Sequence, residues 1–352
     1  MNIRYGIIGT GMMGCEHIRN LERIKNVDIT AIADPNEKSR KWGIKACGDR
    51  FKPKVFEKYT DLLKSDEVDA VIIASPNFTH IDVMREVFKT DKHVLLEKPM
   101  CTNISDAEEV VFCTRKHKGI VWVGLEYRFM APINMTLQLS KSIGNIRMFS
   151  IREHRFPFLK KVDDWNRFNR NTGGTLIEKC CHFFDLMNLV IPSKPIRVFA
   201  SGGQNVNHLD EIYNGEVPDI LDNAYVIVDF ESGERALLDL CMFAEGGPYE
   251  QQITLTGEQG RIETTIPGDE LIISQRSNGG FKKIPINLDS RVREVGFHHG
   301  ASYLEHLGFI DSIINHNPPL VTVDDGLMSI VLGVAAQQSI KTGLAVEINS
   351  LL

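Results

Sequence analysis

The chain has 352 residues, 43% of them apolar and 24% charged, and carries a formal net charge of −6. That length exceeds one ordinary hydrophobic core and suits two domains of globular composition. The negative balance argues against a broad nucleic-acid surface, and no apolar run reaches about 18 residues, so no membrane span is expected.

Residues 3–9, "IRYGIIG", read as a short apolar strand without the basic flank or cleavage site of a signal peptide. A helix pattern follows from Met12 to about Ile24, then a strand at 27–34, a helix over 36–47 with Asn36 able to cap it, and a strand at 68–75. Residues 79–89 are helical, "HVLLE" at 93–97 is a strand, 105–118 are helical with Ser105 as N-cap, and 120–125 form one more strand. Near-continuous apolar strands alternating with helices predict a doubly wound parallel sheet covered on both faces. From about Tyr127 the pattern changes. Strand-like runs at 146–153, 196–202, 223–230, 234–243, 251–257, 260–266 and 270–275 are joined partly by tight turns, which predicts a mostly antiparallel open sheet. Helices are expected at 174–190, 302–315 and 324–341. The division is placed between residues 126 and 127, with a cofactor-binding unit before it. A unit for substrate binding and oligomerisation follows, whose last helices can pack back on the first. The scattered cysteines, seven in all, include no CxxC pair, and His298 and His299 are adjacent, which is poor metal spacing. Free thiols in a reducing cytoplasm and no metal are expected.

"GTGMMG", with Gly9, Gly11 and Gly14, lies between a predicted strand and a predicted helix, and Asp34 ends the next strand about 20 residues on. In that context Gly9 serves a tight turn, Gly11 close approach of a pyrophosphate and Gly14 helix–strand packing; the helix amino terminus favours the phosphates. Thr10, Met12, Met13 and Pro35 belong to the same turns. Asp34 suits ribose hydroxyls and repels a 2′-phosphate, so NAD is expected over NADP, although Lys38 and Arg40 are near in sequence. Two other stretches are unusual. In "HVLLEKPM" the apolar strand stops at Glu97 and Lys98, and Pro99 keeps Lys98 out of helical geometry; the Lys98–Pro99 bond is a candidate for the cis form. In "TGGTLIEKCCHFFDLMNLV" a helix apolar on most sides carries Glu178, His182 and Asp185 on one stripe. The residues alone leave two readings of that stripe open: an internal network in the core, or a cleft, which Gly173 and Gly174 favour.

The ordered set "GTGMMG" with Asp34, "SPNFTH" at 75–80, "EKP" at 97–99 and "GGTLIEKCCHFFD" resembles the Gfo/Idh/MocA family of oxidoreductases over nearly the whole chain. The resemblance implies a Rossmann domain followed by an α/β domain whose open sheet forms a dimer or tetramer interface. It implies that Lys98 and His182 are the catalytic lysine and histidine. Glu178 stands where much of the family has aspartate. Ser75, Pro76, Asn77, His80 and Glu97 would lie along the cofactor. The expected reaction is hydride transfer between NAD and a secondary alcohol of a sugar, cyclitol or sugar derivative. His182 would be the general base, Lys98 would hold the reacting oxygen, and Glu178 and Asp185 would orient His182 or bind a neighbouring hydroxyl. Candidate substrate residues are Arg128, Arg155, Trp165, Asn166, Asp185, Tyr249 and His298, with Tyr127 and Arg170 close behind. A redox-assisted glycosidase and a non-catalytic cofactor-binding regulator are the alternatives within the same family.

Overall fold

The computed structural model describes residues 2–292 and 298–352. Its first sheet contains β1 (Ile3–Ile8), β2 (Val27–Ala33), β3 (Lys54–Phe56), β4 (Ala70–Ile73), β5 (His93–Glu97) and β6 (Val121–Gly124). The strand order is β3-β2-β1-β4-β5-β6 and every pairing is parallel. Helices α1 (Met12–Glu22), α2 (Glu37–Cys47), α3 (Tyr59–Leu63), α4 (His80–Val87) and α5 (Ile104–Thr114) connect the strands. This is the doubly wound architecture expected from the alternation. Asn36 caps α2 by accepting from the backbone N–H groups of Lys38 and Ser39. For α5 the cap is Asn103, not Ser105: its side chain accepts from the Asp106 N–H, and Ser105 already lies in the first turn. The short β3 and α3 had no sequence signature, because a three-residue edge strand with exposed Lys54 and Val55 shows neither alternation nor an apolar run.

A 3₁₀ turn (Glu126–Phe129) and α6 (Ala131–Leu139) lead into β7 (Ile146–His154). Then come α7 (Asn169–Thr172), α8 (Thr175–Glu178), α9 (Cys181–Val190), β8 (Pro195–Gly203), β9 (Asn223–Phe230) and β10 (Arg235–Cys241). The chain continues through β11 (Gln251–Gly257), β12 (Gly260–Ile266), β13 (Glu270–Gln275), β14 (Phe281–Pro285), α10 (Ala301–Asn315), α11 (Val323–Thr342) and β15 (Val346–Glu347). The second sheet has nine strands in the order β14-β13-β12-β11-β7-β10-β9-β8-β15. Only β7 and β10 pair in parallel; the remaining pairings are antiparallel. Strands β9, β11 and β12 alternate buried and less buried residues along their length, so one face is packed and the other open. On the open face Met148, Phe199, Tyr225 and Ile227 are exposed.

Two hydrophobic cores result, one around each sheet. The segment 175–190 lies between them: Ile177 and Cys181 belong to the first core, and Leu176, Cys180, Phe183, Phe184 and Met187 to the second. This explains why the segment is apolar on most sides. Helix α11 also spans both, packing on α5 and β6 on one side and on α8, α9 and β8 on the other. Two glycines allow the contact. A Cβ at Gly326 would lie 3.0 Å from the Met100 sulfur, and one at Gly333 would lie 2.8 Å from the Leu176 carbonyl oxygen.

Arg128 fastens the same junction. Its Nε donates to Asp185 Oδ2 at 2.7 Å, Nη1 donates to the Leu320 carbonyl at 2.8 Å, and Nη2 lies 3.0 Å from Asp325 Oδ1 and also bonds Asp185 Oδ1. Asp185 is buried, and burial pushes its carboxyl up to about 6 even with Arg128 beside it. Breaking a buried pair strands a charge, at a cost of about 3–5 kcal/mol. Arg128→Ala should therefore lower the urea midpoint steeply, whereas Arg128→Met combined with Asp185→Leu should lower it less than the single change. Equilibrium unfolding followed by fluorescence measures both.

Candidate functional site

The carboxyl ends of β1, β2, β4 and β5 meet at one edge of the parallel sheet. At β1 the chain turns through Gly9 with φ +88°, and a Cβ there would come within 2.6 Å of the Ala74 and Ser75 backbone. A Cβ at Gly14 would sit 2.0 Å from the Gly9 carbonyl oxygen. A Cβ at Gly11, by contrast, meets nothing within 4 Å. Gly11 is also the N-cap of α1, so the open space lies where unpaired backbone N–H groups and the positive helix end favour a phosphate. Asp34 follows β2, and its carboxylate accepts from the backbone N–H groups of Thr10 at 2.8 Å and Asn36 at 2.9 Å, which join the two turns. The Arg40 guanidinium donates to the carbonyls of Asp34 and Pro35 and pairs with Glu57. It is thereby tied to the protein rather than aimed at a 2′-phosphate. These residues fit an NAD adenosine and pyrophosphate. Thr10 is buried, Met12 and Pro35 are exposed and Met13 is half-buried along the same turns.

After β4, Ser75, Pro76 and the 3₁₀ turn Asn77–Thr79 run beside the start of α4. Asn77 is buried. His80 is fully buried, with its ring nitrogens 2.9 Å from the Pro99 carbonyl and 3.0 Å from the Ser75 carbonyl. It ties the loop after β4 to the loop after β5, so its ring is engaged by backbone.

The Lys98–Pro99 peptide is cis. Lys98 Nζ donates to the Glu178 carbonyl at 3.2 Å, across from the first sheet to the end of α8. Burial pulls the Lys98 ammonium down, but Cys181, Glu126 and Glu97 outweigh it and hold it above the usual lysine range. The predicted single helix over 174–190 is interrupted at Lys179 and Cys180, giving α8 and α9. At the interruption Lys179 is buried, donating to the Tyr127 hydroxyl at 2.7 Å and pairing with Glu153 at 3.0 Å. His182, at the start of α9, stacks on Tyr127 with ring centroids 4.0 Å apart and planes 9° apart. Its Nε2 lies 3.7 Å from Glu126 Oε1, and among the described residues its Nδ1 has no partner. Burial, and then Lys98 and Lys179, push His182 well below the usual histidine range, so the ring is neutral at pH 7. Burial raises Glu126 and raises Glu178 to about 7, Lys98 and Lys161 opposing the second shift. Glu178 Oε2 is buried without a partner among the described residues.

The stripe expected of Glu178, His182 and Asp185 is thus divided. Asp185 faces Arg128 in the structural clamp, while Glu178 and His182 face Lys98. Arg128 has its donors committed in that clamp. Arg155 lies 3.4 Å from Glu153 and stacks over Phe156. Trp165 packs edge-on against Phe78, and the buried Asn166 donates to the Leu159 carbonyl at 3.0 Å. Arg170 pairs with Glu216 on the surface, and Tyr249 is exposed ahead of β11. His298 Nδ1 lies 2.8 Å from Glu16 Oε1 on α1, and its charge is felt by Glu126, Glu97 and His182. The structure also brings in residues that the sequence did not single out. Glu126 and Lys179 had no periodic signal, and Lys161 lies in an irregular loop, yet Lys161 faces Glu178 and Lys98, and burial lowers its ammonium. An open cavity of about 600 Å³ lies between Phe156–Lys160 and Val206–Glu211 and is not lined by Lys98, Glu178 or His182.

Residues 3–125 match the family model described as "Oxidoreductase family, NAD-binding Rossmann fold", and residues 138–348 match "Oxidoreductase family, C-terminal alpha/beta domain". The chain is 28% identical over 359 aligned positions to myo-inositol 2-dehydrogenase of Thermotoga maritima, covering 99% of this chain and all of the relative. The crystal structure of a probable dehydrogenase from Thermotoga maritima superposes with a TM-score of 0.80 at 25% identity, covering 99% of this chain and 100% of that one. The fold is also that of levoglucosan dehydrogenase in complex with NADH and levoglucosan, with a TM-score of 0.84 at 18% identity over 99% of this chain and 100% of the other. With both halves matched in order, and with the glycine turn and Asp34 shaped for the dinucleotide, the chain belongs to the Gfo/Idh/MocA oxidoreductases and carries an NAD-binding Rossmann domain.

Proposed function

We propose that the protein is an NAD-dependent dehydrogenase that interconverts a secondary alcohol of a sugar, cyclitol or sugar derivative with the corresponding ketone. The observation that carries this reading is the convergence of Lys98, His182 and Glu178 at the carboxyl edge of the parallel sheet that bears the glycine turn. The cyclitol branch draws support from the Thermotoga relative named myo-inositol 2-dehydrogenase. When bound, NAD supplies the hydride acceptor. His182, neutral and with Nδ1 unpartnered among the described residues, is in the protonation state that accepts a hydroxyl proton. Glu126 Oε1 lies 3.7 Å from Nε2, on the other side of the ring. Lys98 as an ammonium donates a hydrogen bond to the reacting oxygen and steadies negative charge there. Glu178, with its carboxyl shifted to about 7, can accept or donate to a neighbouring hydroxyl at physiological pH. Incubation with NAD and a panel of sugars, cyclitols and nucleotide sugars tests the reading. NADH formation with one of them supports it, and net turnover without NADH points to the redox-assisted glycosidase.

We also propose self-association through the open face of the second sheet, where Phe199, Tyr225 and Ile227 would otherwise leave apolar surface in water. The seven cysteines, all unpaired, support a reducing, cytoplasmic setting.

Lys98→Met should leave the protein folded and binding NAD but lower hydride transfer at least about a hundredfold, and His182→Ala should lower kcat by about 10²–10⁴. Single-turnover absorbance at 340 nm, with NAD binding checked separately, measures both. Asp34→Ser should raise NADP affinity relative to NAD roughly tenfold, close to 1.4 kcal/mol, because a carboxylate no longer faces the 2′-phosphate; fluorescence titration with each dinucleotide reads the ratio. The shift at Glu178 also has a stability sign. With a carboxyl raised to about 7, the folded protein holds a proton that the unfolded chain has released, so this group's contribution falls as pH rises from the ordinary carboxyl range through 7. Glu178→Gln should therefore remove part of the loss of stability between about pH 5 and 8, seen as a flatter Tm-against-pH curve than wild type.

A further inference from the structure

Glu97, Glu126 and Glu305 are buried, with 4%, 2% and 1% exposure; Glu126 feels the charge of Glu97, and Glu305 that of both. Three anions in so little water would be costly, so the hydrogen-bond partners decide where charge resides. Glu126 has His182 at 3.7 Å and an Oε2 without a partner among the described residues. Glu305 Oε1 accepts from Trp122 Nε1 at 3.1 Å. Glu97 has both oxygens bonded among the described residues: Oε1 lies 2.8 Å from His17 Nε2, and Oε2 accepts from the Lys98 backbone N–H at 3.1 Å. His17 Nδ1 in turn lies 2.9 Å from His306 Nε2. Both rings are fully buried.

The chain of contacts has one satisfactory direction. An ionised Glu97 only accepts, so His17 Nε2 carries the hydrogen. His17 Nδ1 then offers a lone pair, and His306 Nε2–H fills it. His306 Nδ1, which has no partner among the described residues, is left as a bare lone pair. The opposite direction would bury an unsatisfied N–H at that atom, the more costly outcome. Helix α1, the end of β5 and α10 each contribute one member.

We propose that His306 and His17 are positioning residues for the active-site lysine: they assign the buried negative charge to Glu97 and so keep Lys98 an ammonium. This rests on the role given to Lys98 above. The acid–base directions agree. Burial would raise Glu97, but His17 and Lys98 outweigh it and hold it below the usual range, whereas burial raises Glu126 and Glu305. Other groups facing Lys98 include Glu126 and Tyr127 from the 3₁₀ turn, Cys180, Cys181, Lys179 and His182 from the α8–α9 segment, Lys161 from its loop and His298 ahead of α10. The Glu178 carboxyl faces it too. Of Glu97, Glu126 and Glu305, Glu97 is the one with a donor on each oxygen among the described residues. Glu97 also feels His298.

The test needs no substrate. In protein labelled with 15N-lysine, the Lys98 ammonium signal is assigned by its loss in Lys98→Met, and its titration is followed by NMR. His306→Leu should lower the proton affinity of Lys98 at least about fivefold, because His17 Nδ1 loses the N–H that polarises the ring and the Nε2–H bond to Glu97 weakens. His306→Gln, whose amide N–H can occupy the Nε2 position, should restore most of it. In a His17→Gln background, whose amide donates to Glu97 without help, His306→Leu should have no further effect; this background also covers the case in which the single His306→Leu chain does not fold. A folded His306→Leu protein that loses thermal stability while Lys98 titrates as in wild type would overturn the proposal and leave His306 a core residue. A wild-type enzyme that turns over no polyol would instead count against the reading of function, leaving the titration result intact.

Discussion

The segment Thr175–Val190 must satisfy two hydrophobic cores at once, and the site follows from how it does so. Ile177 and Cys181 face the first core while Leu176, Cys180 and Phe183 face the second. A continuous helix could supply those apolar contacts, but it also carries Lys179, which reaches Tyr127 and Glu153 in the second unit. The break at 179–180 brings Lys179 to those partners and leaves the Glu178 carbonyl available to Lys98. The hydrogen bond between an ammonium on one sheet and a carbonyl beside the other is thus a product of packing as much as of chemistry.

Electrostatics in this region is governed by exclusion of water. His182 is driven neutral, and Glu126 and Glu178 are driven toward their protonated forms, chiefly by burial. Glu97 escapes because it has donors. The site therefore holds a neutral imidazole, a cation and a carboxyl of intermediate acidity in close company, where the carboxyl at its unperturbed acidity would be an anion.

What the sequence disclosed was mostly local. The parallel sheet was legible because strands buried on both faces are continuously apolar, and the glycine turn because three glycines and Asp34 must stand at fixed offsets. The edge strands β3, β14 and β15 were not, since edges need little apolar content. Lys98 and His182 came from an ordered set of motifs, not from periodicity. Helical spacing puts Asp185 on one stripe with His182, but a buried arginine far away in sequence pairs with it instead, and nothing local in "FFDLM" indicates that Arg128 will be there. Lys161 and the contact between His17 and His306 were hidden for the same reason: the first lies in a loop with no repeat, and the second joins residues 289 positions apart.

Helix α11 has a consequence for motion. Gly326 against Met100 and Gly333 against the Leu176 carbonyl bring one rigid rod into van der Waals contact with both sheets. A hinge between the sheets would have to separate or compress these close contacts, and packed interfaces resist such gradual deformation. The helix thus braces the two sheets against each other, and the loops beyond the strand ends, such as the one bearing Lys161, are free of that brace.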